Sequence, residues 1–348
     1  LRKRIGGPVR LSVRAGAGLL ACLLAAALAG CARDAQCEFL GRMMREARPE
    51  RLKCFFLDPV IGDAAVLVLP GRGAEGERPR AIVVDGGAFG SRTARALRAL
   101  GLWKRGAVDV AVLTHPHADH YQGLVPLFER KRVRTFYWSG MEGDGPAYRA
   151  FRKALRRSGC ETREISAGDE LDLGGGVTCS VLWPPEKGGH ADSAHEANTM
   201  SLVFSVRFGA VSFLFTGDVK EDSELELVHR AAALLDADVL KVAHHGSRSS
   251  SREEFLLAAS PAFSVIMGEV FNFEPPVAFE ADPATIWRLF EAGSEVLSTW
   301  RSGPIFVEAD ARGLRRVVSL EREHWSDFER SGDVSQDAPR PAARRAAR

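Results

Sequence analysis

The chain has 348 residues, 45% hydrophobic and 26% charged, an ordinary globular composition with apolar material for one large domain or two small ones. Its formal net charge of +2 conceals three parts. Residues 1–30 carry five basic side chains and no acid, and residues 331–348 carry four arginines and two aspartates, so residues 31–330 stand at −5. A mildly acidic body lacks the overall footprint of a strong nucleic-acid binder, although net charge leaves room for a local basic groove.

The first thirty residues read as a targeting segment. A basic stretch precedes an apolar run, residues 15–29 (AGAGLLACLLAAALA), too short to span a bilayer comfortably. The run ends in Leu28-Ala29-Gly30-Cys31, which resembles a bacterial lipobox, so residues 1–31 are expected to be a signal peptide with lipid attachment at Cys31. Cleavage after Ala29, or an uncleaved anchor, are the alternatives. On this reading the protein is an exported envelope lipoprotein that meets the membrane through its lipid. Residues 32–51 are expected to be a short linker. Four further cysteines follow Cys31. In an oxidising compartment, sequence proximity favours Cys37–Cys54 and Cys160–Cys179, although Cys179 also fits as a core residue of the strand VTCSVL.

From Lys53 onward, short β-branched runs alternate with helical stretches. Strands are expected at 53–57, 65–69, 81–84, 108–113, 134–138, 177–182, 200–208, 211–215, 239–242, 263–267, 295–298, 304–308 and 315–320. Helices are expected at 92–102, 146–158, 221–233, 252–259 and 283–292. Ser251 with Glu254 looks like a capping box, and Asp282 before Pro283 looks like an N-cap. This pattern argues for one α/β domain with two sheets over 52–325. Residues 326–348 have no apolar period and read as a disordered basic tail.

The stretch LTHPHADHYQG, residues 113–123, concentrates chemistry. It places His115, His117, Asp119 and His120 on a loop directly after the apolar run VDVAVL. Imidazole and carboxylate suit zinc, and also iron or manganese, and four such groups so close are hard to explain as packing. One loop cannot complete two metal shells. Three other strand ends carry partners: Asp85 after AIVV, Asp218 after VSFLFTG, and His244 with His245 after ADVLKVA.

HxHxDH, the TGD of residues 216–218 and the HHGS of residues 244–247 together resemble the metallo-β-lactamase fold, in the branch of the metal-dependent ComEC-like domains. The phrases NTMSLVFSVRFGAVSFLFTGDV and ADVLKVAHHGSRSSSREEFLLAASP carry the likeness further, with a weaker echo in the GDA of residues 62–64. The resemblance covers roughly residues 52–320. It implies an αββα sandwich, two packed mixed sheets with helices on the outer faces. It also implies two divalent metal ions, zinc first. His115 and His117 would hold one ion and Asp119 and His120 the other, with Asp218 bridging. His244 or His245 would complete the second shell, His244 being favoured because it ends the strand. Asp85 would orient the histidine loop rather than bind metal.

The chain departs from the family pattern in three places. Asn198 stands where many members place a histidine ligand, so Asn198 is a candidate for substrate or shell contact. His190 and His195 nearby read as solvent-facing. The stretch GEVFNFEPP lacks the histidine usual after Asn272, and LDPVIGDA replaces the usual DVGQGDA. Two metals about 3.5–4 Å apart can share a hydroxide and stabilise charge at phosphorus or an acyl carbon. Asp119 and Asp218 are the candidate catalytic carboxylates. Ser247 is a candidate phosphate contact, or else a turn cap. The expected activity is a metal-dependent hydrolase, foremost a phosphodiesterase acting on nucleic acid or another envelope phosphodiester; no protein partner is indicated. The alternative is a weakly active or non-catalytic envelope protein that keeps the fold and a metal.

Overall fold

A computed structural model describes residues 34–71, 79–104, 106–188, 194–268, 270–273, 276–279 and 281–321. The signal segment with Cys31, the basic tail, His190 and Glu274 lie outside the described residues, as does the side chain of His195.

Two mixed sheets stack face to face. The first contains β1 (Leu52–Phe56), β2 (Ala65–Val68), β3 (Ala81–Val84), β4 (Val108–Val112), β5 (Val133–Trp138), β6 (Glu161–Glu164), β16 (Ile305–Asp310) and β17 (Gly313–Ser319). Its order is β17-β16-β1-β2-β3-β4-β5-β6. The second contains β7 (Glu170–Gly174), β8 (Val177–Trp183), β9 (Val203–Phe208), β10 (Val211–Phe215), β11 (Val239–Lys241), β12 (Phe263–Ile266) and β15 (Glu295–Ser298), in the order β15-β12-β11-β10-β9-β8-β7. A hairpin, β13 (Val270–Phe273) with β14 (Pro276–Phe279), stands apart. Strands β3 to β6 are parallel, as are β10, β11, β12 and β15, so both sets point their carboxyl ends the same way along their sheet.

Alternation along the strands sorts side chains between layers. In β1, Leu52, Cys54 and Phe56 enter the core between the sheets, whereas Phe55 faces outward. The outward side of the first sheet is covered by α1 (residues 34–46), α2 (Gly90–Ala99), α4 (Val125–Glu129) and α5 (Gly145–Ser158). The outward side of the second is covered by α7 (Glu221–Leu235), α8 (Glu253–Ala259) and α9 (Pro283–Glu291). Shorter helical turns are α3 (Ala118–Tyr121), α6 (Ala194–Thr199) and α10 (Thr299–Ser302). The molecule is the αββα sandwich expected. Among the described residues no helix is long and apolar enough to cross a membrane.

Several expectations are corrected. The linker at 32–51 is instead largely helix α1, whose Phe39, Leu40 and Met43 are buried against Leu97 and Leu100 of the neighbouring helix. The four cysteines Cys37, Cys54, Cys160 and Cys179 are free thiols. The first sheet separates both expected pairs: Cys54 and Cys179 lie in the inter-sheet core, while Cys160 packs on the outer side and Cys37 lies on α1. Strand β6 lies outside the expected strands, because its ETRE is exposed throughout and has no apolar alternation; charge of this kind protects a sheet edge.

The capping box at Ser251 is also replaced. No side chain caps α8; Glu224 of α7 instead fixes the two residues before it, its carboxylate oxygens accepting from the amides of Ser251 (2.6 Å) and Arg252 (2.9 Å). Asp282 does cap α9, accepting from Ala284 N at 2.8 Å. Burial pushes the Glu224 carboxyl up to about 7, against the pull of its amide donors. The native state therefore keeps this proton where the unfolded chain, at about 4.3, has lost it. The associated stability is full below the unfolded value and is lost as pH rises toward 7. Glu224→Gln sets an NH2 against one of the two amides and should cost about 1–3 kcal/mol. It should also flatten the decline in stability between about pH 5 and 7. Urea unfolding of both proteins across that range measures this, and an unchanged pH slope would contradict it.

Candidate metal centre

The site forms where strand ends of both sheets meet. Strand β3 delivers Asp85, which adopts a left-handed φ of 55°. The adjoining Gly86 packs so tightly on Gly123 that a Cβ on Gly123 would stand 1.6 Å from the Gly86 carbonyl oxygen. Strand β4 leads through Thr114 into the loop holding His115 and His117, and then into α3 with Asp119 and His120. From the second sheet, β10 delivers Asp218, and β11 leads to His244 and His245. These last two adopt φ values of 50° and 53°, a left-handed conformation costing on the order of 1–3 kcal/mol for each such residue.

Asp218 is the point of convergence. Its Oδ2 lies 3.3 Å from His120 Nε2, 3.3 Å from His245 Nε2 and 3.7 Å from His115 Nε2. Asp119 Oδ2 lies 3.5 Å from His245 Nε2 and 3.9 Å from His120 Nε2. His115 Nε2 faces His117 Nδ1 at 3.0 Å. Ligand atoms on one tetrahedral ion with bonds of roughly 2.0–2.1 Å stand about 3.3 Å apart, so these spacings suit shared cations. His120 Nε2, His245 Nε2 and Asp218 Oδ1 are buried without a hydrogen-bond partner, and buried polar atoms ordinarily have one. The donor set fits divalent metal ions.

The surrounding shell fixes the ring nitrogens. Asp85 accepts from Thr114 N and Thr114 Oγ1, both at 2.8 Å, and faces His120 Nδ1 at 2.9 Å. The Nδ1–H of His120 then donates to Asp85 and leaves Nε2 for the site. His245 Nδ1 is held by Met267 O at 3.1 Å and Asp63 Oδ1 at 3.2 Å, again presenting Nε2.

Of the two adjacent histidines, His245 rather than the expected His244 falls among the candidate ligand groups. His245 is buried among Asp63, Asp119 and Asp218, whereas His244 Nε2 faces the amide of Asn198 at 3.3 Å. In the successive left-handed residues of the turn, the second ring points into the cluster. Asn198 is buried and belongs to the site through His244. Ser247 serves its turn: its Oγ contacts Ser249 Oγ at 3.2 Å.

Two residues escaped the sequence reading, Asp63 and Lys241. Lys241 is buried, forms an ion pair with Asp63, donates to Gly217 O at 2.9 Å and stands 3.6 Å from Asp218 Oδ1. The available signal was the GDA echo at residues 62–64 and a lysine inside an otherwise apolar strand. Gly62 allows Asp63 its place; at φ 83°, its missing Cβ would lie 1.8 Å from Asp119 O.

Charge is unevenly shared. Burial would depress His120 and His245, but neighbouring carboxylates, Asp218 foremost, raise both well above an ordinary imidazole. Burial lowers His115 well below that value, with the charge of His120 adding to the effect. It also brings His244 down to about 4. Burial would raise Asp218, yet His245, His120 and His115 hold it well below the carboxylate range. The carboxylates are thus balanced by protons on His120 and His245, which a dication would displace.

Residues 80–254, half of the chain, match the family profile described as Beta-lactamase superfamily domain. The chain is 30% identical over 159 residues to ComE operon protein 3 of Bacillus subtilis, covering 46% of this chain and 20% of that protein. It is 37% identical over 90 residues to competence protein ComA of Neisseria gonorrhoeae, covering 26% and 12%. The chain thus matches only a fifth or less of these relatives' length. Among solved structures, it is similar to the metallo-beta-lactamase fold protein YhfI of Bacillus subtilis. That likeness has 13% identity and a TM-score of 0.47, covering 74% of this chain and all of that one.

His245→Ala should weaken zinc binding about a hundredfold or more, and His244→Ala no more than about tenfold. Competition with a chromogenic chelator measures both, and equal losses would contradict the assignment. Uptake of zinc at neutral pH should release protons from His120 and His245, so that affinity rises with pH. Calorimetric titration in buffers of different ionisation enthalpy reads that release; proton-neutral binding would contradict the exchange.

Proposed function

The chain belongs to the beta-lactamase superfamily, and from that premise we propose that it is an exported, metal-dependent phosphodiesterase with a two-metal centre. The observation that carries this reading is the convergence of three imidazole nitrogens on one oxygen of Asp218. His115, His117 and Asp218 would hold one ion, and Asp119, His120, Asp218 and His245 the other. When bound, such ions supply Lewis acidity toward a phosphoryl oxygen and lower the pKa of water to about 7.

The chain's own residues do the rest. His115, kept neutral by burial, presents a lone pair at neutral pH. Asp85 and Thr114 lock the histidine loop, and Lys241 ties the Asp63 and Asp218 carboxylates together. Asp119 is the most exposed of the site carboxylates, with 29% of its side chain open, and so lies at the mouth. Burial alone would raise its carboxyl, but His120 and His245 hold it below the ordinary range. At neutral pH it is therefore ionised, a carboxylate able to hold a cation at the mouth. The ComEC-like resemblance supports a phosphodiester substrate, in nucleic acid or in an envelope polymer.

A weakly active metal-binding protein is the competing reading, favoured by Asn198 in place of a histidine. Turnover of bis(p-nitrophenyl) phosphate, labelled oligonucleotides and a chromogenic β-lactam, with zinc or manganese, separates the two. Phosphodiester hydrolysis is expected. Asp218→Asn should lower kcat/KM by roughly a thousandfold, matching the several kcal/mol that metal catalysis supplies, with an unchanged fold by circular dichroism. Full activity in that variant would sink the proposed mechanism, and metal binding without turnover of any phosphodiester would favour the competing reading.

A further inference from the structure

Three of the four helices over the first sheet lie in strongly basic stretches, although residues 31–330 as a whole are acidic and the fourth helix, α1, holds three acids and two arginines. Residues 90–107, 125–134 and 145–158 hold fourteen lysines and arginines and one acid, Glu129. These stretches contain α2, α4 and α5, and α4 packs against both of the others. Helix α5 buries Tyr148, Phe151 and Leu155 and exposes Arg149, Lys153, Arg156 and Arg157, a single basic stripe along its outer face. The opposite layer carries the reverse sign: α7 and α8 hold six acids and one arginine.

At the other end of the basic layer, three guanidinium groups gather on one ring. Arg98 lies 4.6 Å, Arg132 5.1 Å and Arg130 6.0 Å from the centre of Trp103. Arg132 Nε is buried without a partner. Like charges held this close gain from an external polyanion.

We infer that this face docks on an anionic lipid surface. Its form favours that occupant. The patch lies on the outer sides of three packed helices. Trp103 is covered by arginines, and most exposed large apolar side chains, including Trp287, Phe290 and Trp300, lie on other elements. The patch therefore lacks the open aromatic platforms on which unpaired bases stack. The chain also enters this layer: Gln36 in α1 bonds Asp58, which pairs with Arg92 of α2. A lipid anchor preceding α1 would hold the basic face toward the bilayer, and a single acyl chain needs such a second, electrostatic attachment to hold firmly.

The test is co-sedimentation of the full chain with vesicles of phosphatidylcholine, alone or with 30% phosphatidylglycerol. The comparison variant is Arg149→Gln, Lys153→Gln, Arg156→Gln and Arg157→Gln combined. The wild type should prefer the anionic vesicles, and the variant should lose at least about tenfold of that preference, since each basic side chain near such a surface is worth about fivefold. Circular dichroism and hydrolase activity should not change. A second variant, Arg98→Gln with Arg130→Gln and Lys131→Gln, should show the same loss. An undiminished preference in both variants would overturn the inference. So would tighter binding of duplex DNA than of anionic vesicles at equal salt through these same residues, which would make the face a nucleic-acid surface.

Discussion

Buried carboxylates crowded into one cluster are the constraint on which this structure turns. Asp63, Asp85 and Asp218 are each at most 4% exposed, and Asp119 joins them at the mouth. Against these four carboxylates stands the buried ammonium of Lys241, which pairs with Asp63 and lies near Asp218. Buried, unbalanced charge is costly, and a group in that position ordinarily shifts its pKa or finds a cation. Here the deficit falls on the imidazoles, which take protons when no metal is present and release them to it.

The fold exists in the form that makes this crowding tolerable. Each sheet contributes parallel strands whose carboxyl ends reach the same edge. The acidic residues leave the sheets there rather than within the inter-sheet core, which is apolar around Phe56, Phe204 and Phe215. Tight backbone approaches, Gly86 against Gly123 and Gly62 against Asp119, bring separate loops close enough for one oxygen of Asp218 to meet three rings. The left-handed pair His244–His245 belongs to the same bargain: local strain is accepted because the second ring completes the cluster.

Much of this was legible in the sequence. His115, His117, Asp119 and His120 stand out because ligand-type residues crowd a short loop after an apolar strand. Asp85 and Asp218 do so because each ends such a strand. The choice between His244 and His245 was not legible, since it depends on a backbone turn that reverses the ring directions. Asp63 and Lys241 were hidden for different reasons. The segment before Asp63 is not a strand, and Lys241 is one of 47 lysines and arginines, distinguished only by its burial. Helix α1 is not evident in the sequence because its apolar residues gain meaning only when packed against α2. The basic layer was masked by the net charge, which sums two faces of opposite sign.

The central claim is that this cluster is a two-metal centre. Elemental analysis measures it most directly, on the purified chain saturated with zinc or manganese and then freed of loosely held ions. The account predicts two ions per chain. A single ion per chain, or none, would contradict it.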